Sequence, residues 1–271
     1  MHSDDKRIVN VRLSDGSAVK LECRDRLPST TQLAKEYANL GYPDRYAIFT
    51  QLQSLSPITK TKLSENEYEE GVFLSCILRP SLFPSQMGLV GPLAAVALVT
   101  ALDDHSASRS EIGWVSDVYS EGIHIGGVAV EGKLDSFSSY EYLIVSFAVR
   151  LDKKKFPPRM TDMIKQVFEK ENFSVPMIIA KEILHKFLTV YSSLRAPEKY
   201  MKIYRGKFAL IGQKIKYRSG SGREAARVVD VDTGTCALVI ENKNKERITI
   251  NSPSGVIIPK KLKPLGRKRM I

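Results

Sequence analysis

The chain has 271 residues, 43% hydrophobic and 26% charged, a formal net charge of +11 and three cysteines. It is long enough for one substantial core plus a smaller domain. Cys23, Cys76 and Cys236 lie far apart with no C-x-x-C, which argues against a disulfide frame or a zinc site and for a reducing compartment. The first six residues lack the apolar centre of a signal peptide, so the expected location is cytoplasmic.

In chain order, residues 8–13 and 17–23 alternate apolar and polar side chains around Asp15-Gly16, the pattern of a β-hairpin. Ser29 or Thr30 caps a helix that runs through Leu33, Ala34, Tyr37 and Leu40 and stops at Gly41. Residues 46–51 and 72–78 read as strands. No charge occurs from Ser81 to Leu102, but Pro84, Gly88, Gly91 and Pro92 punctuate that stretch. The clean apolar run after Pro92 covers only about ten residues, too few to span a bilayer. A buried helix over 92–102 is expected, with Pro92 in its first turn. Strands follow at 115–119, 124–131 and 141–151, the last rich in aromatic and β-branched residues and therefore central in a sheet. Residues 160–171 and 178–194 carry apolar side chains at helical spacing. Five short strands are expected at 214–217, 225–230, 236–241, 246–250 and 255–258, a number that suggests a small barrel.

The charge is uneven. From Glu198 onward there are 18 lysines and arginines against 6 acids, a balance of +12, so the first 197 residues sum to −1. The shift marks a boundary near Ala196-Pro197 and predicts three parts: 1–197, 198–258 as a small β domain, and 259–271 as a basic tail. The cluster Lys260-Lys261-Leu262-Lys263, then Arg267-Lys268-Arg269, is of the kind usually solvated.

The most informative stretch is Gly113-Trp114-Val115-Ser116-Asp117, followed by Ile123-His124-Ile125-Gly126-Gly127-Val128-Ala129-Val130-Glu131. It resembles the signature of the biotin–protein ligases, Lys-Trp-Pro-Asn-Asp and then Lys-x-x-Gly-x-Leu-x-Glu, with Gly113 and His124 at the two lysine positions. Ser29-Thr30-Thr31-Gln32-x-Ala34-Lys35-Glu36 is similar to that family's Ser-Thr-Asn-x-x-Ala-Lys-Glu, and Leu78-Arg79-Pro80 to its Leu-Arg-Pro. Residues 210–215 resemble the Leu-Gly-Lys-x-Val segment that opens its C-terminal domain, and 229–238 resemble that domain's Ile-Asp-x-x-Gly-x-Leu turn. The resemblance implies an α+β fold: a mixed sheet flanked by helices, plus a small C-terminal SH3-like β-barrel.

It also implies chemistry: biotin and ATP, with magnesium, form biotinyl-adenylate, which acylates a lysine on a carrier domain. In that chemistry Ser29, Thr30, Trp114, Gly126 and Gly127 line the ligand site, and Gln53 precedes the phosphate loop. Asp117 and His124 are the catalytic candidates. The family's Gly-Arg-Gly-Arg-Arg-Gly loop corresponds to residues 54–62 here, which hold Lys60 and Lys62 but no glycine or arginine. Only glycine lets a backbone approach an anion in unusual dihedrals, and lysine lacks the bidentate fork of arginine. Each candidate also has a bland reading: His124 a polar hairpin residue, Trp114 a core residue, Asp117 a strand-end cap, and the glycine pair a β-bulge. No histidine pair has metal spacing, so no metal site is expected. Cys76, in an apolar strand, reads as inert core against an acyl-accepting thiol.

Two function classes follow. One is a divergent ligase that rebuilt its nucleotide site with Lys60, Lys62 and His124. The other is a ligase-fold module that binds a carrier domain or a small acyl ligand without turnover. Nucleic acid ranks last as a partner, because the basic segment interleaves few aromatics beyond Tyr200, Tyr204 and Tyr217, and a membrane is not expected.

Overall fold

The computed structural model describes residues 6–54, 68–81, 84–105, 109–150, 174–220, 222–259 and 261–262. Lys60, Lys62, the expected helix over 160–171 and most of the basic tail lie outside them.

The first strands, β1 (Arg7–Arg12) and β2 (Ala18–Leu27), form the expected hairpin, with Arg12 opposite Ala18. Gly16 takes a left-handed φ of +83° at the turn, where glycine is free of Cβ strain. Helix α1 (Thr30–Asn39) then crosses to β3 (Tyr46–Gln53), which pairs parallel to β2. Ser29 is its cap: the extended backbone there lets the hydroxyl accept from the Gln32 amide. Thr30, Ala34 and Ala38, spaced four apart, are buried against the sheet. Arg79 closes the helix's far end, its guanidinium donating to the carbonyls of Ala38, Tyr42 and Glu141.

β4 (Glu69–Leu78) leads into α2 (Val90–Asp104), which has eleven buried residues. A helix apolar all round is covered on all sides, and α2 lies under α3 (Val175–Ser192) and α4 (Glu198–Gly206). The segment Met87–Asp104 is long and apolar enough to cross a membrane, yet 67% of it is buried in this fold. β5 (Ser110–Ile112), β6 (Asp117–Ser120), β7 (Ile123–Leu134) and β8 (Tyr140–Arg150) complete an eight-stranded mixed sheet in the order β1-β2-β3-β4-β8-β7-β6-β5.

The second sheet has four strands, β9 (Lys214–Ser219), β10 (Gly222–Val231), β11 (Leu238–Glu241) and β12 (Arg247–Ile250). Three expectations are corrected here. Residues 255–258 form no fifth strand, only a bridge from Ile257 to Lys216; Pro253 and Pro259 on either side withhold backbone donors. The region after 197 also opens with α4, where Met201 and Tyr204 bury one face. Leu262, inside the basic cluster expected to be solvated, is 1% exposed, and its amide donates to the carbonyl of Gly122. One hydrophobic cluster runs from Leu21 in β2 to Ile240 in β11, so the two sheets share a core.

Candidate functional site

Opposed residues share a face of the sheet, so Ser75 in β4 and Ser146 in β8 stand side by side. Both interrupt otherwise apolar strands, and both point toward the N-terminus of α1. Ser75 donates to Thr30 Oγ1 at 2.9 Å, and Thr30 Oγ1 donates to Gln53 Oε1 at 3.2 Å. The Thr30 amide reaches the same oxygen at 2.8 Å. Ser75 has spent its one proton, so Ser146, 2.9 Å away, must donate to it. By the same count Thr31, 2.8 Å from Ser146, donates to Ser146. A single proton direction therefore runs Thr31, Ser146, Ser75, Thr30, Gln53. All five side chains are buried, and the row holds its members in fixed rotamers. Every hydroxyl proton in it is committed, whereas oxygen lone pairs remain, so the row suits a ligand that brings N–H donors.

Gly127 lies one same-face position from Ala129, the residue opposite Ser146, and it faces Asp117 in β6. Asp117 Oδ1 is 3.5 Å from His124 Nε2 across the β6–β7 hairpin, and both side chains are partly exposed. A carboxylate in that position orients the imidazole. Tyr119 meets the His124 ring edge-on at 5.3 Å. Burial, and secondarily the charge of Asp117, push the Tyr119 phenol up to about 12, so it stays a neutral ring. Glu131, the last residue of the signature, pairs with Lys35 of α1 at 2.5 Å and ties the two ligase-like segments together.

The glycines have backbone reasons. A Cβ on Gly126 would lie 2.0 Å from the Ala148 carbonyl oxygen, and one on Gly127 would lie 2.8 Å from the Ser116 carbonyl oxygen. That second contact lets residues 114–117 fold down onto β7, where Ser116 Oγ donates to the Val128 carbonyl and the Val128 amide donates to the Ser116 carbonyl. The Trp114-Val115 peptide within this segment is cis. Gly113 faces the Tyr119 ring: a Cβ there would come within 2.6 Å of Tyr119 Cε2 and 3.2 Å of Asp117 Cβ.

Trp114 is 4% exposed and donates through Nε1 to the Cys236 carbonyl at 2.7 Å. It fastens the second sheet to the first. Cys76 is fully buried on the opposite face from Ser75, and burial drives its thiol far above the ordinary range, so it is no nucleophile. Ser29, Thr30 and Gln53 thus meet at the α1 N-terminus, whereas Asp117, His124, Gly126 and Gly127 meet at the hairpin. Sequence reasoning named Thr30 and Gln53 but not Ser75, Ser146 or Tyr119. The signal for the two serines was present: a hydroxyl inside each of two apolar strands is informative because buried polar groups need partners. Among the described residues no group of three or more His, Cys, Asp or Glu side chains is placed to hold a metal ion.

No family model matches the chain. Among curated proteins, the bifunctional ligase/repressor BirA of Bacillus subtilis is 24% identical over 140 residues, 51% of this chain and 43% of that protein. BirA of Bacillus spizizenii is 22% identical over 142 residues, 52% of this chain and 43% of its own length. The match spans less than half the length of these relatives. Solved structures extend further. A variant of the biotin protein ligase from Aquifex aeolicus, in complex with biotin, has a TM-score of 0.61 at 18% identity, covering 88% of this chain and 97% of that one. The Aquifex aeolicus ligase in complex with biotin and ATP has a TM-score of 0.60 at 17% identity, with the same coverage of 88% and 97%. A biotin protein ligase-like protein of unknown function from a Silicibacter species has a TM-score of 0.58 at 14% identity, covering 85% of this chain and 93% of that one. The chain therefore has a biotin protein ligase-like catalytic fold.

Proposed function

We propose that this chain performs biotin protein ligase-type chemistry. The carboxylate of a biotin-type acid attacks the α-phosphate of ATP, pyrophosphate leaves, and a carrier-domain lysine then takes the acyl group with loss of AMP. The observation that carries this reading is the meeting of Thr30, Thr31, Gln53, Ser75 and Ser146 at the α1 N-terminus, on the same sheet face as Asp117 of the hairpin. The hydroxyl row suits the N–H groups of a cyclic urea. In this reading Ser29 holds the start of α1 in place, His124 approaches the acyl oxygens, and Asp117 orients it. Lys60 and Lys62 supply charge toward the phosphates, a task for which fixed cations are the main catalytic resource. Magnesium comes with the nucleotide. The C-terminal sheet is the counterpart of an SH3-like barrel, and the setting is cytoplasmic.

A second reading, a ligase-fold module that binds an acyl ligand or carrier without turnover, has its own observation. The space before Gly113, where the signature calls for a lysine, is filled by the Tyr119 ring. One assay separates the two: transfer of labelled biotin, with ATP and magnesium, to a carrier domain by the full chain. Labelling that His124→Ala abolishes supports the ligase. Binding of a non-hydrolysable biotinyl-adenylate without labelling supports the module, and neither binding nor labelling would sink both.

A further inference from the structure

The second sheet presents an unusual outer face. Along β9 the exposed positions are Lys214, Lys216 and Arg218, and along β10 they are Arg223, Ala225 and Arg227. The register sets Arg218 opposite Arg223 and Lys214 opposite Arg227. Directly opposed like charges destabilise a sheet, yet none of these five cations makes an ion pair among the described residues. The nearby carboxylates are mostly engaged elsewhere. Glu224 sits at the register of buried Tyr217 and accepts from Ser219 Oγ, and Asp230 is bound bidentately by Arg205. Glu241 alone shares the face, opposite Arg227, with Lys245 3.5 Å away. At one end Arg218, Gly222, Arg223 and Gly255 line a concavity of about 640 Å³.

We propose that this face binds the phosphate backbone of nucleic acid without reading sequence. Same-face cations along a strand repeat every ~6.7 Å, and the row from 214 to 218 spans ~13 Å, a two-strand array suited to a regularly charged polyanion. A protein partner would need an aromatic or broad apolar centre to anchor it, and among the described residues this face offers the scattered aliphatics Ala225, half-buried Val239 and exposed Ile257 and no aromatic ring. The scarcity of aromatics, which counted against nucleic acid in the sequence, excludes base stacking but not backbone contact: Tyr217 points into the core. The proposal is independent of the ligase reading.

The test is fluorescence anisotropy of a labelled mixed-sequence DNA duplex with the full chain across a salt series. Five phosphate contacts give a log–log salt slope near −4.5, about a 500-fold loss between 50 and 200 mM salt. In the double variant Arg218→Gln/Arg223→Gln the slope should shrink by about 2 and affinity at low salt fall roughly tenfold or more. Its melting temperature should hold or rise, since a repulsive pair is gone, which separates loss of binding from loss of fold. A second variant, Arg267→Gln/Lys268→Gln/Arg269→Gln, gauges the tail, and the decrement from the sheet variant should persist in that background. Failure of the wild-type chain to bind duplex at 50 mM salt would overturn the proposal. So would binding left unchanged by the sheet variant, or an acidic carrier domain binding this face while DNA does not.

Discussion

Placing the signature lysine at position 113 is expected to injure the protein rather than repair it. In Gly113→Lys the new Cβ falls 2.6 Å from Tyr119 Cε2, inside the distance that two carbons tolerate. Tyr119 is 6% exposed and packed in the main core, so its ring has little room to withdraw. Overpacking of this kind costs about 1–3 kcal/mol, and for a protein near this size each kcal/mol lowers Tm by about 2–4 °C. A fall of roughly 2–12 °C should appear in thermal melts followed by circular dichroism. Tyr119→Ala alone opens a cavity costing about 3 kcal/mol. In the double variant the lysine stem occupies part of that cavity, so the two costs should sum to at least about 1 kcal/mol more than the measured loss. Additivity within about 0.5 kcal/mol, or a Gly113→Lys protein as stable as the parent, would refute the claim that the ring fills the lysine's place.

Three further outcomes are expected. Ser146→Ala should cost about 1–3 kcal/mol in urea unfolding, since it takes the acceptor from Thr31 and the donor from Ser75; an unchanged midpoint would deny the hydroxyl row a structural role. Glu22 is wholly buried, and although burial opposes its ionisation, donation from Tyr46, Lys6, Arg24 and Tyr37 holds its carboxyl below the ordinary 4.5. A depressed folded-state pKa adds stability that is present above the unfolded value and lost as pH falls through the folded one. Glu22→Gln should therefore be about 3 kcal/mol less stable than the parent at neutral pH, and the gap should narrow below about pH 4.5; a gap constant down to pH 3 counts against this. Trp114 is the chain's one tryptophan, so its emission reports on the joint with the second sheet. Trp114→Phe leaves the Cys236 carbonyl without that donor and should cost about 1–2 kcal/mol, while in the parent protein a red shift in denaturant should coincide with loss of β signal.

Local chemistry made much of the fold legible. Asp15-Gly16 fixed the first turn, Ser29 the start of α1 and Gly41 its end, because each acts through its own backbone or its immediate neighbours. The long β8 strand was readable from its density of aromatic and β-branched residues. What escaped was decided by distant partners. The segment Glu198–Gly206 is polar in composition, but Met201 and Tyr204 join the main core as the helix packs on α2. Leu262 sits among lysines, yet a buried slot at Gly122 accepts it. The site divided in the same manner: Thr30 and Gln53 carried a motif, whereas Ser75 and Ser146 showed only as hydroxyls interrupting apolar strands, and their partners, like the place of Tyr119, come from the register that aligns β4 with β8 and β6 with β7.

The most direct measurement is calorimetric titration of the full chain with a non-hydrolysable biotinyl-adenylate, run beside Thr31→Val. We expect saturable one-to-one binding by the parent. The valine variant should bind about tenfold more weakly, because the row loses the Thr31 hydroxyl oxygen that accepts from the ligand's N–H, and one hydrogen bond is worth about 1.4 kcal/mol. A parent protein that takes up no ligand at millimolar concentration, or a variant that binds as tightly as the parent, would contradict a ligase-type ligand site at the head of α1.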